Sequence, residues 1–158
     1  MQANLNSATG SLRLGISKWV AGALLAVAAN ALAGDVPSTL AGVAVVTAEH
    51  AKSLMDGGAA MIDTRVGNEY ADSHIKGAKN VTYKEKSPKD VAFNPKDDRF
   101  DLAQLPADKS RPVIFYCNGP ECWKSYKASK VAAEAGYKKV QWLRGGFPEW
   151  KARGFPIE

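Results

Sequence analysis

Cys117 and Cys122 are the two cysteines of the chain, and they enclose the turn Asn118-Gly119-Pro120-Glu121. The apolar run 112–116 in front of Cys117 predicts a buried strand, and the run that starts at Trp123 predicts a helix. Backbone N–H groups at such a helix start attract anions, and the positive helix end lowers the pKa of a thiol from about 8.5. The spacing therefore predicts a reactive thiolate, with the sulfur of Cys117 as the nucleophile.

The elements that must position this loop alternate between short strands and helices. Apolar or β-branched runs bounded by turn residues predict strands at 43–46, 60–63, 80–82, 112–116 and 139–143. Helices are predicted at 48–55, 69–72 and 123–135, and a short last helix begins near Pro148. The alternation predicts an α/β fold with a central, mainly parallel five-stranded sheet flanked by helices.

Residues 83–111 interrupt this alternation with a long connection. The stretch is charged, contains Pro88, Pro95 and Pro106, and has room for one or two helical turns at 100–105. Connections of this length are often functional or mobile, so the stretch is a second region of interest.

The N-terminal residues predict export. Residues 1–33 contain no acidic group, and Arg13 and Lys18 precede an uncharged apolar stretch that ends in Ala31-Leu32-Ala33. This is the pattern of a signal peptide cleaved after Ala33, most simply for a bacterial periplasm, and it leaves no stable membrane anchor. An uncleaved anchor is the alternative. The remaining chain divides into a linker at 34–42 and one domain at 43–158.

The charge pattern favours small anions over nucleic acid. The chain carries 21 basic and 16 acidic side chains, and removing Arg13 and Lys18 leaves 19 and 16, a net charge of +3. The basic residues are scattered and form no stripe, which argues against nucleic-acid binding. His50 and His74 lie far in sequence from the cysteines. We therefore expect no metal site and no cofactor, and the oligomeric state stays open.

Three separated motifs resemble those of the single-domain rhodaneses, a sulfurtransferase family. Asp63-Thr64-Arg65 follows a predicted strand, as the family's Asp-x-Arg does. The stretch 70–81, from Tyr70 through His74 to Val81, is similar to the N-terminal signature, although Thr82 stands where that signature has Pro. The stretch 143–150 resembles the C-terminal signature through its Gly-Gly-aromatic-x-Glu-aromatic core, with Leu143-Arg144 in place of the usual aromatic-acidic pair.

The resemblance implies both the rhodanese-like fold and a reaction. In this family the loop cysteine takes a sulfane sulfur from a donor such as thiosulfate and passes it to a thiophilic acceptor, cyanide or a thiol. By position, Cys117 is that cysteine. The persulfide it forms is an anion that backbone N–H groups can hold. The implied cradle consists of Asn118, Gly119, Pro120, Glu121, Cys122 and Trp123.

Other residues are assigned supporting roles, and the loop departs from the family at two places. Lys124 and Lys127 are the nearest cations in sequence, and Lys124, Arg144 and Arg65 are possible anion contacts. Asp63 and His74 are expected to be structural. Pro120 removes one N–H where such loops commonly have Gly, and Cys122 replaces a final Arg, Lys or Thr.

Two further functions stay open. Cys117 and Cys122 could serve a periplasmic thiol–disulfide redox protein, although the usual redox spacing is Cys-x-x-Cys, and Cys122 could also resolve a persulfide on Cys117. A non-catalytic binding module on the same fold is the other alternative. A disulfide needs Cα atoms roughly 4.4–6.8 Å apart, and a persulfide cradle is expected to turn the two sulfurs apart. We therefore expect two free thiols in the resting fold.

Overall fold

Five strands form one sheet in the computed structural model, which describes residues 35–158. The strands are β1 (Ala44–Val46), β2 (Ala60–Asp63), β3 (Lys79–Asn80), β4 (Val113–Tyr116) and β5 (Val140–Leu143). Their order across the sheet is β1-β5-β4-β2-β3, and each of these neighbouring pairs is parallel. The predicted α/β fold with a central parallel five-stranded sheet is confirmed.

Within residues 35–158, four α-helices flank the sheet. They are α1 (Ala48–Asp56), α2 (Gly67–Asp72), α3 (Trp123–Glu134) and α4 (Gly146–Ala152). The side chain of Thr47 accepts a hydrogen bond from the N–H of His50 and so caps α1, as its residue type predicts. The α3 helix ends just before Gly136, whose φ of 94° is a conformation that glycine adopts without a steric penalty.

Strand β4 lies in the middle of the sheet and is buried along its whole length. Its side chains alternate between the two faces, as the pleat requires. Ile114 and Tyr116 pack into one apolar cluster, and Val113 and Phe115 pack into another on the opposite face. This two-sided burial explains why the sequence shows a continuous apolar run there rather than an alternating one.

The connection after β3 differs from its prediction in detail. The third strand occupies Lys79–Asn80 rather than 80–82. A 3-10 turn at Leu102–Gln104 lies within the range 100–105 where one or two helical turns are predicted, and a second 3-10 turn, Pro95–Asp97, precedes it. The connection is also anchored, because Tyr83, Phe93 and Leu105 bury their side chains in the domain.

The part of the predicted linker that the structure describes packs against the domain. Val36 is 4% exposed and contacts a cluster that contains Phe93 and Trp142. The Arg144 guanidinium donates hydrogen bonds to the carbonyl groups of Val36 and Pro37, at 3.0 and 3.1 Å. The predicted signal peptide lies outside the described residues. Within residues 35–158, no helix is both long and apolar enough to cross a membrane.

Candidate active site

The cysteine loop, residues 117–122, connects the carboxyl end of β4 to the start of α3. Carboxyl ends of parallel strands are where open α/β sheets place their binding crevices. Cys117 is 1% exposed, whereas Asn118, Pro120 and Glu121 are exposed. Cys122 is partly exposed and occupies the N-cap position of α3. The predicted strand–cysteine–helix arrangement is therefore present.

A disulfide joins Cys117 to Cys122, so the expectation of two free thiols is wrong for this structure. The two Cα atoms are 6.1 Å apart, within the usual range for a disulfide. The reason lies in the turn between them. Gly119 has a φ of 134°, and its carbonyl accepts a hydrogen bond of 3.1 Å from the N–H of Cys122. This turn folds the loop back and brings the second cysteine towards the first.

The turn between β5 and α4 supports the loop from the side. The N–H of Phe147 donates a hydrogen bond of 2.8 Å to the carbonyl of Cys117. Gly146 has a φ of 63°, and a Cβ atom there would collide with the Cys117 carbonyl and the Gly119 amide. Gly146 is thus a positioning residue that the sequence motif at 143–150 contains without indicating this contact. The Gly-Gly pair after a predicted strand was the available signal.

Beneath the loop, Asp63 and Arg65 form a buried ion pair. Their side chains are 0% and 4% exposed, and the guanidinium also donates to the carbonyl of Ser73 at 2.9 Å. It lies over the ring of Phe147, 4.4 Å from the centroid. Burial opposes the charge, but the hydrogen bonds and the charge of Asp63 still raise the pKa of Arg65. Arg65 is therefore a structural cation, which corrects its assignment as an anion contact.

Tyr116, the last residue of β4, completes this buried network. Its hydroxyl donates to Oδ2 of Asp63 at 2.6 Å and accepts the N–H of Ile75 at 3.2 Å. Burial, together with the neighbouring Asp63 carboxylate, raises the pKa of Tyr116, so the hydroxyl stays protonated. Asp63 therefore contacts both Arg65 and Tyr116. The network fixes the strand end from which Cys117 projects.

His74 lies apart from the cysteine loop. Its ring stacks on Tyr70 with centroids 3.6 Å apart, and its Nδ1 lies 2.8 Å from the Tyr70 carbonyl. Its Nε2 lies 3.4 Å from the carboxylate of Glu158. These contacts tie Glu158 to the end of α2.

Of the remaining predicted site residues, Lys124 and Asn118 lie near open surface. Lys124 lines an open cavity of about 580 Å³ together with Lys84 and Glu85. Neither Lys84 nor Glu85 is among the site residues predicted from the sequence. The Asn118 side chain donates a hydrogen bond to Glu69 of α2. Arg144 is occupied by the carbonyl groups of the N-terminal segment, so its assignment as an anion contact is corrected.

Trp123 and Lys127 both turn into the interior. The indole of Trp123 is buried against Tyr126, with ring centroids 5.2 Å apart, so its side chain belongs to the core rather than to the persulfide cradle. The side chain of Lys127 is 0% exposed, which rules out its role as a nearby cation for the loop. Trp123 and Lys127 are four positions apart and therefore lie on the same face of α3. This face packs against the segment that follows β3, which explains why both side chains are buried.

Lys127 is the centre of what we call the lysine cluster: Lys127, Asp98, Glu85, Ser87 and Tyr83. Lys127 Nζ donates to Ser87 Oγ at 2.8 Å and lies 3.3 and 3.8 Å from the carboxylates of Glu85 and Asp98. The Tyr83 hydroxyl donates to Asp98 at 2.7 Å. Burial would raise the pKa of Asp98, but hydrogen bonds from the Ser87 and Lys86 amides and from two hydroxyls lower it to about 2.

Comparisons with known proteins agree with this architecture. The family described as "Rhodanese-like domain" matches residues 47–153, which include the cysteine loop and all four helices. The thiosulfate sulfurtransferase GlpE of Pseudomonas fluorescens is 30% identical over 112 residues, which cover 70% of this chain and 85% of that protein. The HTH-type transcriptional regulator Rv0324 of Mycobacterium tuberculosis is 31% identical over 115 residues, 73% of this chain but 44% of that longer protein.

A solved structure shows the same likeness. The solution NMR structure of the rhodanese-like domain from the Anabaena sp Alr3790 protein is 29% identical to this chain, with a TM-score of 0.53. The superposition covers 72% of this chain and 76% of that one. Sequence and fold therefore agree on the same family.

Proposed function

The chain belongs to the rhodanese-like domain family, and from this premise we propose that it is a sulfurtransferase whose nucleophile is Cys117. It takes a sulfane sulfur from a donor such as thiosulfate and passes it to a thiophilic acceptor, either cyanide or a thiol. The observation that carries the proposal is the position of Cys117 at the end of the central strand, inside a loop that leads into a helix N-terminus.

The active form in this proposal is the reduced one, because a sulfur held in a disulfide cannot attack a donor. After reduction, the Cys117 thiolate attacks the outer sulfur of thiosulfate. The sulfur–sulfur bond of thiosulfate breaks, and its electron pair leaves with sulfite. Cyanide then attacks the outer sulfur of the Cys117 persulfide, which yields thiocyanate and restores the thiolate.

The loop backbone is suited to hold the anionic persulfide. Among residues 35–158, the amides of Asn118, Gly119 and Glu121 have no hydrogen-bond acceptor, whereas the amide of Cys122 is used by the turn. Pro120 has no N–H to contribute. Backbone amides that are free of acceptors can stabilise an anion that forms beside them, as they do in the donor sets of other enzymes.

The cavity beside α3 suits an anionic donor. Lys124 lies in the first turn of α3, two positions after Cys122, and Lys84 lines the same cavity from the segment after β3. Two ammonium groups at one opening raise the local concentration of small anions. We assign donor attraction to these two lysines, because Arg65 and Arg144 are bound to protein groups.

We also propose that the protein works in the periplasm, after cleavage of a signal peptide at Ala33. The support is the sequence pattern of Arg13, Lys18, the uncharged stretch and Ala31-Leu32-Ala33. N-terminal sequencing of the protein from the cell envelope tests this. A chain that begins at Gly34 is expected, and a membrane-retained chain that still begins near Met1 contradicts it.

Thiol–disulfide exchange is the second candidate function, and the observed bond between Cys117 and Cys122 favours it. The two candidates differ in what they require of Cys122. Exchange needs both sulfurs, whereas acceptance of a sulfane sulfur needs only Cys117. Comparison of single cysteine variants therefore separates them.

The test is thiocyanate formation from thiosulfate and cyanide by the reduced protein. Cys117→Ser is expected to abolish it, because a hydroxyl cannot carry a sulfane sulfur. Cys122→Ser is expected to retain much of it. Equal loss in the two variants contradicts the proposal, and reduction of a disulfide substrate by the wild type alone supports the second candidate.

A further inference from the structure

Cys122 has a position from which it can reach the sulfur of Cys117. The two residues are five positions apart, and the structure bonds their sulfur atoms while β4 and α3 keep their hydrogen-bonded ends. The approach therefore needs no rearrangement of the sheet or the helix. The inner sulfur of a persulfide on Cys117, which is the Cys117 sulfur itself, therefore lies within reach of an attack from Cys122.

The helix start favours a thiolate at Cys122. This residue is the N-cap of α3, a 12-residue helix, and no side-chain hydrogen bond caps that end. The unpaired N–H groups and the partial positive charge of a helix N-terminus stabilise a negative sulfur there. Of the two cysteines, Cys122 is thus the better attacking group once Cys117 carries the extra sulfur.

The two sulfurs also differ in their access to solvent. Cys117 is 1% exposed, whereas Cys122 is partly exposed and lines an open cavity of about 250 Å³ with Asn118, Pro120 and Glu121. An external thiol that attacks the disulfide therefore meets the sulfur of Cys122 first. Cys117 is then the leaving thiolate, which returns the nucleophile in its active form.

We propose that Cys122 is the resolving cysteine of the site and that a dithiol is the physiological class of acceptor; this inference rests on the proposed sulfurtransferase function. The Cys122 thiolate attacks the inner sulfur of the Cys117 persulfide. The bond between the inner and outer sulfur breaks and the Cys117–Cys122 disulfide forms. The outer sulfur of the anionic persulfide leaves as hydrosulfide, with a proton from solvent that balances the one the Cys122 thiol released when it became a thiolate. The sulfane sulfur is reduced and the two cysteines are oxidised.

A dithiol then closes the cycle. One of its thiolates attacks Cys122 and releases Cys117, and its second thiol displaces Cys122 to leave an oxidised dithiol. Over the whole cycle, thiosulfate and one dithiol give sulfite, hydrogen sulfide and one intramolecular disulfide. The disulfide form of the site is the intermediate that waits for the dithiol.

The experiment is a single turnover without any external acceptor. The wild type and Cys122→Ser are reduced, freed of reductant without oxygen, and mixed with one equivalent of thiosulfate. Sulfite, sulfide and the intact protein mass are then measured, and a sample without thiosulfate must keep its free thiols. The wild type is expected to release one sulfide per sulfite and to end two hydrogens lighter than its reduced form.

Cys122→Ser is expected to release sulfite but no sulfide and to gain the mass of one sulfur atom. If the wild type releases sulfite, keeps the added sulfur and gives no sulfide, the resolving role is overturned while the sulfurtransferase function stands. If neither protein releases sulfite, the sulfurtransferase function itself fails and the inference falls with it. The wild-type result decides the question even if the variant does not fold.

Discussion

The cysteine loop and the lysine cluster both contact the first half of α3, but they are built in opposite ways. Backbone groups hold the loop, mainly through the Phe147 amide and the close approach of Gly146. Side chains hold the cluster, where a buried ammonium meets two carboxylates and a hydroxyl. The loop leaves Cys122 partly exposed, whereas the cluster keeps the Lys127 ammonium and the Asp98 carboxylate away from water.

The reactive sulfur atoms therefore belong to one region, the cysteine loop, and the buried charges belong to the other, the lysine cluster. The lysine cluster has the ionised groups that often mark active sites, yet its members bind each other and join the segment after β3 to α3. The cysteine loop has no ion pair among residues 117–122. We therefore expect changes in the loop to reduce activity and changes in the cluster to reduce stability.

Among substitutions that keep both cysteines, Gly146→Ala is expected to reduce activity most. The new Cβ would collide with the backbone of Cys117 and Gly119, and displacement of a nucleophile by about 1 Å can cost on the order of 100-fold in rate. Gly154→Ala is the matched control, because Gly154 has nearly the same φ, 66° against 63°, with no atom near its Cβ position. Thiocyanate formation measures the rate. Equal rates in the two variants would show that the contact with the loop is unimportant.

Lys127→Met is expected to act on stability instead. It leaves buried carboxylates without their cation, which typically costs about 3–5 kcal/mol in the free energy of unfolding. Lys130→Met on the same helix is the control, because its ammonium group is exposed and donates only to the Val91 carbonyl. Urea unfolding gives the stability. A folded Lys127→Met protein with normal stability and lost activity would contradict the division between the two regions.

Acid should weaken the cluster in a defined pH window. The pKa of Asp98 is about 2 in the fold against an ordinary value of 3.8, so its stabilising contribution is complete above about pH 4 and is lost as the pH falls through 2. The shift corresponds to about 2 kcal/mol. Asp98→Asn should remove this part of the acid dependence, whereas Asp97→Asn at the exposed neighbour should keep it. Identical acid unfolding curves for both variants would contradict this assignment.

The sequence was informative where local patterns decide the structure. The apolar run of β4, the helix after it and the cysteine loop were predicted because periodicity and turn residues act over a few positions. Local sequence patterns do not predict contacts between segments that are far apart in the chain. The close approach of Gly146 to Cys117 depends on how the turn after β5 meets the loop.

The errors at the site have the same origin. The sequence predicts Arg65 as a possible anion contact, but the structure pairs its guanidinium with Asp63 and with the Ser73 carbonyl. Lys127 follows Lys124 by three positions. The segment after β3 covers Lys127, whereas Lys124 lies at an open cavity. The disulfide depends on the conformation of Gly119, and residue spacing does not specify that conformation.

Locating the transferred sulfur shows directly whether Cys117 carries it. Reduced Cys122→Ser is treated with thiosulfate, digested without thiols, and each peptide is weighed before and after cyanide. We expect one added sulfur atom on the peptide that contains Cys117, and we expect cyanide to remove that atom. No added sulfur, or a sulfur on a peptide without Cys117, would contradict the claim that Cys117 is the sulfur carrier.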